Sequence, residues 1–83
     1  MKYQYRTQGT CSSAISFDID DEGKLANVVF TGGCNGNLKA IGRLVEGKDA
    51  REIADLLRGN LCGFKNTSCA DQLSKAIDKA LSA

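Results

Sequence analysis

The chain of 83 residues contains no histidine, no tryptophan and no proline, and its only aromatic residues are two tyrosines and three phenylalanines. The lack of histidine excludes imidazole general-base catalysis, Cys-His and Ser-His activation of a nucleophile, and every zinc site that needs an imidazole ligand. Any chemistry in this chain therefore has to use thiols, carboxylates, amines or the peptide backbone.

The chain also lacks net charge of either sign, because 11 Lys and Arg balance 10 Asp and Glu to leave +1. So small a charge gives no strong nucleic-acid signal. Charged residues such as Lys2, Arg6 and Asp18 interrupt the N-terminal segment, so we expect no signal peptide, no membrane contact and a cytoplasmic location. In a reducing compartment the four cysteines are expected to be buried and inert, metal-bound or redox-active.

The order of elements along the chain is strands first and helices second. A chain of this length predicts a single domain over residues 1–83, with a core small enough that a staple would add stability. Alternating apolar residues predict strands over Lys2–Thr7, Ala14–Asp20 and Leu25–Phe30. The acidic turn Asp21-Glu22-Gly23 predicts that the last two strands pair as an antiparallel hairpin.

Helical periodicity replaces alternation from Asn37, the expected N-cap of a first helix that ends at Gly47. Asp49 opens a capping box for a second helix, which Gly59 ends, and Ser68 opens one for a third. The residues predicted to face inward are Leu38, Ile41, Leu44 and Val45, then Ile53, Leu56 and Leu57, then Leu73, Ala76, Ile77, Ala80 and Leu81. The predicted fold class is α+β, a small antiparallel three-stranded sheet followed by three helices packed on one face.

Cys11, Cys34, Cys62 and Cys69 all fall between predicted elements or at their ends. A buried structural cysteine usually replaces a small core residue within an element, so this placement favours a functional role. The spacing lacks the close C-x2-C pairs of zinc knuckles and is a weak metal signal by itself. Cys69 is expected at the first helical position behind Ser68, where the positive end of the helix dipole favours a thiolate.

Three motifs, read in order, resemble the TSCPD domain: residues 32–37, Leu61-Cys62-Gly63, and residues 67–73. Ala70 stands where this family usually has proline, which would alter only the stiffness of the helix start. Such domains resemble the C-terminal portion of adenosylcobalamin-dependent ribonucleotide reductases, and they also occur as small free-standing proteins, the kind that this chain resembles. The resemblance implies an association with ribonucleotide reduction, by docking on the catalytic subunit, binding nucleotide or nucleic acid, or passing reducing equivalents.

The order of Cys11, Cys34 and Cys69 among the predicted elements is also similar to that of U-type iron-sulfur cluster scaffold proteins. In those proteins three cysteines converge on one metal site, which implies here that the same three meet at one end of a scaffold-like sheet. Two features depart from the scaffold pattern. Ser12-Ser13 follow the first cysteine where scaffolds have Gly-Asp, and Ser68 stands where a histidine usually precedes the last cysteine.

We predict from these resemblances that Cys11, Cys34, Cys62 and Cys69 hold one Zn²⁺ ion in a closed site. Four thiolates leave no open coordination position, so the expected role is that of a binding or accessory domain and not of an enzyme acting alone. Two alternatives stay open. One is a thiol-disulfide relay in which Cys62 and Cys69 re-reduce a ribonucleotide reductase, and the other is an iron-sulfur cluster scaffold or carrier.

The predicted partner surface consists of Asn35, Asn37 and Lys65, which flank the predicted site cysteines. Loops that a rigid scaffold holds in place commonly carry recognition. We expect this surface to contact the ribonucleotide reductase catalytic subunit or its nucleotide, with modest affinity, because the chain is small and nearly neutral.

Overall fold

A computed structural model describes residues 2–7, 12–32, 35–60 and 67–82. Three strands form one antiparallel sheet in the order β1-β2-β3, namely β1 Lys2–Arg6, β2 Ser12–Ile19 and β3 Leu25–Gly32. Three helices follow, namely α1 Asn35–Val45, α2 Ala50–Leu57 and α3 Cys69–Ser82. The predicted α+β class and the order of elements are confirmed. No helix in the described ranges is long and apolar enough to span a membrane.

The hydrophobic core lies between the sheet and the helices. Every second residue of β2 from Ile15 to Ile19 is buried, and the predicted apolar stripe of α3 is buried with them except at its end, where Leu81 is half-buried. In β1, Tyr3 and Tyr5 are half-buried while their neighbours are exposed, as the alternation predicts. The Tyr3 ring stacks on the Phe17 ring with 5.6 Å between centroids, so the first strand is joined to the centre of the core.

Two leucines predicted to face inward do not. Leu44 of α1 is 71% exposed and Leu56 of α2 is 75% exposed. Each directly precedes the last inward residue of its helix, Val45 or Leu57, and one residue step rotates a side chain by about 100° around an α-helix. The prediction was wrong at both positions because these helices bury only a narrow stripe.

The ends of the helices follow the sequence signals, with one correction. Asp49 is the N-cap of α2, with extended backbone and a side chain that accepts a 3.0 Å hydrogen bond from the Glu52 N–H. Gly47 and Gly59 have φ of +74° and +81°, the left-handed conformation expected just past a helix end. Asn37 is not the N-cap of α1, because that helix begins two residues earlier. The apolar pattern shows only where the buried side chains of α1 begin, and the first turn of the helix lies before those residues.

A β-bulge near the start of β2 changes which side chains face the helices. Between Ser12 and Ala14, β2 advances two residues while β3 advances one, so β2 holds an extra residue. An extra residue reverses the alternation of faces beyond it. Ser12 therefore points to the same side of the sheet as Ile15, three residues away, and both are buried.

A second bulge explains why the apolar pattern of β3 alternates poorly. Opposite Ser16 to Asp18 of β2, the β3 strand advances three residues instead of two. Asn27 lies in this irregular stretch with φ of +55°, a conformation that Asn adopts more readily than most residues. Leu25 and Val28 consequently both face the core although they are an odd number of positions apart.

Helix α1 packs directly against the backbone of β3. A Cβ atom built on the buried Gly42 would lie 2.8 Å from the Val28 carbonyl oxygen, closer than side chains normally approach. Only the absence of a side chain permits this contact. At Gly36, six residues earlier in the same helix, an added Cβ would meet nothing within 4 Å.

We expect Gly42→Ala to destabilise the fold by about 1–3 kcal/mol, because the new methyl group meets backbone and not a flexible side chain. The matched control is Gly36→Ala, which should be neutral or stabilise by up to about 1 kcal/mol through helix propensity. Urea unfolding of both variants and the wild type measures these differences. Equal stability of the two variants would contradict the close packing of α1 on β3.

Candidate functional site at the start of helix α3

Cys69 is the one predicted metal ligand that lies among the described residues. The others, Cys11, Cys34 and Cys62, lie outside those residues, as does Lys65 of the predicted partner surface. Of the remaining partner residues, Asn35 begins α1 and Asn37 is exposed in its first turn. Within the described ranges no three cysteine or carboxylate side chains form a group that could hold a metal, and those ranges contain a single predicted ligand.

Cys69 is the first residue of α3, as the sequence predicted, and its side chain is half-buried. The Sγ atom lies 3.1 Å from the Oγ atom of Ser12, a residue 57 positions earlier in the chain. Ser12 is only 4% exposed. The contact therefore joins the beginning of β2 to the beginning of α3 and places a hydroxyl group directly on the sulfur.

The side chain of Ser12 reaches Cys69 because the bulge at the start of β2 turns it toward the helices. Thr7, which follows β1, holds this bulge in place. Its N–H donates a 3.2 Å hydrogen bond to the Ser13 carbonyl, and its hydroxyl donates to the Ser12 carbonyl. Sequence reasoning missed both Thr7 and Ser12. The available signal was a pair of serines directly before the alternation that starts at Ile15.

Ser68 caps α3 and also fastens the chain that follows α2. Its Oγ accepts a 3.0 Å hydrogen bond from the Asp71 N–H, which confirms the predicted N-cap. The same hydroxyl donates to the Asn60 carbonyl, and the Asn60 side-chain amide approaches it at 3.4 Å. The Ser68 hydroxyl thus accepts from an N–H group in the first turn of α3 and also holds Asn60 next to the residue before Cys69.

The carboxylate of Asp71 is the most connected polar group of this region. It is only 4% exposed and accepts hydrogen bonds from the Thr67 hydroxyl at 2.6 Å and the Gly59 N–H at 2.7 Å. The Lys75 ammonium lies 3.6 Å away. The Gln72 amide in turn donates to the Thr67 hydroxyl at 3.0 Å. Sequence reasoning predicted Asp71 only as a partner of the Ser68 cap and missed its link to Gly59.

These contacts hold the pKa of Asp71 below its ordinary value. The hydrogen bond from Thr67 contributes most, and the Gly59 N–H and Lys75 act in the same direction, while burial opposes them. A carboxylate with a lowered pKa and donors on both oxygens is a poor proton carrier near neutral pH. Asp71 therefore serves to hold the chain together and is not a candidate general base.

Ion pairs at the end of α2 add a weaker link to α3 beside this cluster. The Arg58 guanidinium contacts the Asp78 carboxylate and the Asp55 carboxylate, each at 2.8 Å. Arg58 is half exposed, and ion pairs in contact with water contribute little to stability. They orient the end of α2 next to Gly59 without supplying much of the stability.

Asp71→Asn is expected to destabilise the protein by roughly 1–3 kcal/mol at neutral pH, because buried donors lose a charged acceptor. The lowered pKa means that this contribution is complete above the unfolded value of about 3.9 and is lost as the pH falls through the folded value. Urea unfolding from about pH 7 to about pH 2.5 should thus show a wild-type advantage that shrinks below about pH 4.

The control for this experiment is Asp21→Asn in the exposed turn between β2 and β3. Its unfolding free energy should stay close to that of the wild type at neutral pH. If the advantage of the wild type over Asp71→Asn were the same at every pH, the carboxylate charge of Asp71 would not be what stabilises the start of α3.

Comparison with known proteins agrees with the first resemblance. A search of curated proteins finds no match to the chain, and a search of solved structures finds none either. The similarity to U-type iron-sulfur scaffolds accordingly stays a prediction. The family model of the TSCPD domain matches residues 1–81, which includes the entire Ser68 and Asp71 network around Cys69. The chain belongs to the TSCPD domain family.

Proposed function

We propose that this chain is a small metal-binding accessory domain in which Cys11, Cys34, Cys62 and Cys69 bind one Zn²⁺ ion. The observation that carries the proposal is the position of the described residues that flank each cysteine in the sequence. Consecutive Cα atoms are about 3.8 Å apart, so an anchored neighbour restricts where a cysteine can be. Described residues next to or near Cys11 and Cys62 contact the start of α3, and one near Cys34 pairs with Ser12.

The first two cysteines have neighbours in the β2 and β3 strands. Ser12 directly follows Cys11 in the sequence, and its hydroxyl contacts the Cys69 sulfur at 3.1 Å. Gly32, the last residue of β3, is the strand partner of Ser12, and Cys34 comes two residues later. These positions favour an arrangement in which the two thiols can reach the same region as Cys69.

The third cysteine follows a segment that is tied to α3. Asn60 accepts a hydrogen bond from Ser68, and Gly59 donates one to Asp71. Cys62 comes two residues after Asn60 in the sequence. Both anchors hold Gly59 and Asn60 against the first turn of α3, which favours a site shared by Cys62 and Cys69.

The donor chemistry fits zinc. The chain has four thiols and no imidazole, and four thiolates are a common ligand set for structural Zn²⁺. Cys69 occupies the first position of a helix, where the partial positive charge of the exposed N–H groups favours the thiolate form that a metal requires. Zinc bound there would stabilise a domain whose core is small.

A thiol-disulfide relay is the second candidate, because the half-buried Cys69 sulfur at a helix start is also the setting of reactive thiols. In that mechanism Cys62 and Cys69 give two electrons and two protons to a disulfide of the partner and become a disulfide themselves. An iron-sulfur cluster held by the same cysteines is a further alternative. The partner proposed for every case is the ribonucleotide reductase catalytic subunit or its nucleotide, which rests on the family resemblance.

Protein purified under reducing conditions is expected to contain about one Zn²⁺ per chain, because four thiolates form a closed site. Elemental analysis, with thiol titration before and after a chelator, measures this. Replacing any one of the four cysteines by serine should lower both the zinc content and the melting temperature. Ser74→Ala, a loss of a buried hydroxyl within α3, is the control and should keep its zinc.

The outcomes separate the three candidates. Metal-free protein with four titratable thiols and a melting curve unaffected by chelator would refute the zinc site. If Cys62→Ser and Cys69→Ser kept the wild-type melting temperature but no longer reduced a partner disulfide, the relay would replace it. Brown protein with visible absorption would favour the iron-sulfur cluster.

The proposed partner surface predicts that Asn35→Ala, Asn37→Ala and Lys65→Glu weaken capture of the ribonucleotide reductase catalytic subunit from an extract of the native cells. Mass spectrometry identifies the captured subunit, and melting curves confirm that each variant folds. Lys79→Glu, an exposed charge change near the end of α3, is the control and should leave capture unchanged. If the subunit is captured equally by all three variants, recognition lies on another face.

A further inference from the structure

The contact between Ser12 and Cys69 indicates a function for Ser12, which is not one of the predicted metal ligands. We infer that the Ser12 hydroxyl donates a hydrogen bond to the Cys69 sulfur in its thiolate form and lowers the electron density on that sulfur. Ser12 is thus a positioning residue that acts through Cys69. The metal-bound part of this inference rests on the proposed function, whereas the effect on the metal-free thiolate does not.

The direction of the hydrogen bond follows from the number of protons available. In the 3.1 Å contact either atom can donate while the cysteine is a thiol. A metal ligand or nucleophile has to be a thiolate, which has no proton. The only proton between the two atoms is then that of the Ser12 hydroxyl, so the hydroxyl is the donor.

The position of this donor is set before any ligand arrives. Ser12 is buried, so its hydroxyl has little access to competing water. The bulge turns it toward α3, and the two hydrogen bonds from Thr7 hold the bulge. A polar side chain that the backbone holds in this way resembles the outer partners that orient metal ligands and tune them.

Two measurable properties of Cys69 follow from this hydrogen bond. Donation to sulfur withdraws electron density, so the thiolate attacks an alkylating agent more slowly than it would without the donor. In a metal complex the same withdrawal moves the sulfur-to-metal charge-transfer absorption to higher energy and helps to fix the ligand orientation. Loss of an outer partner of this kind typically weakens metal affinity about 10-fold or more.

The test uses the full chain with Ser12→Ala, Ser12→Thr and Ser74→Ala. Metal-free proteins react with iodoacetamide at about pH 10, where ordinary cysteines are ionised, and peptide mass spectrometry follows the Cys69 peptide. Ser12→Ala should react at least about threefold faster than the wild type, whereas Ser12→Thr retains the hydroxyl and should stay near the wild-type rate. Ser74→Ala removes a different buried hydroxyl and controls for loosened packing.

Addition of Co²⁺ to the same proteins gives the metal readout. With Ser12→Ala the charge-transfer band should move to lower energy and Co²⁺ affinity should fall about 10-fold, while Ser74→Ala should match the wild type. Equal alkylation rates for the wild type and Ser12→Ala would overturn the inference, as would equal acceleration in Ser12→Ala and Ser74→Ala. A wild type that takes up neither Co²⁺ nor Zn²⁺ refutes the proposed function, and the alkylation rates still decide on Ser12.

Discussion

The buried carboxylate of Asp71 is the group on which the site end of the molecule depends. It joins Gly59, which follows α2, to Thr67, which precedes α3. Burial of an ionised carboxylate is unfavourable unless donors satisfy it, and here a hydroxyl, a peptide N–H and an ammonium group do so. Gly59 and Thr67 are thereby both held at the first turn of α3, on opposite oxygens of one carboxylate.

The sheet also contacts the start of α3, through residues other than those that bind Asp71. The bulge in β2 and the hydrogen bonds from Thr7 direct Ser12 to Cys69, so the start of α3 contacts both the sheet and the end of α2. The residues around Cys69 accordingly divide by task. Thr67, Ser68 and Asp71 hold the backbone, whereas Ser12 contacts the thiol itself. Such a division suits a domain in which a rigid scaffold presents a few reactive atoms.

The small core explains why the hydrogen bonds at the start of α3 are important for the stability of this chain. Several of the buried positions in α2 and α3 are alanines, namely Ala50, Ala54, Ala70, Ala76 and Ala80. Alanine permits close approach of helices but removes little apolar surface from water, so each contact stabilises the fold only slightly. The hydrogen-bond network at the start of α3 adds to the limited stability that so small a core provides, and zinc in the proposed site would add more.

Much of the fold could be predicted because its signals are local. The Asp49 and Ser68 caps, the apolar stripe of α3 and the alternation in β2 depend on residues a few positions apart, whose geometry is set by the helix or strand itself. The family and the position of Cys69 at a helix start followed from the same local motifs. To that extent the sequence by itself determined the architecture and one member of the candidate site.

Tertiary structure decided the features that depend on residues far apart in the chain. Two bulges reset which residues of β2 and β3 face inward, so Ser12 became part of the site and the pattern of β3 lost its regularity. The exposure of Leu44 and Leu56 reflects how little of each helix the rest of the molecule covers. The hydrogen bond from Gly59 to Asp71 joins residues 12 positions apart, and no short-range pattern encodes that contact. Strand register, helix coverage and loop closure are determined only when distant segments pack, because the energies that select them arise from contacts between those segments.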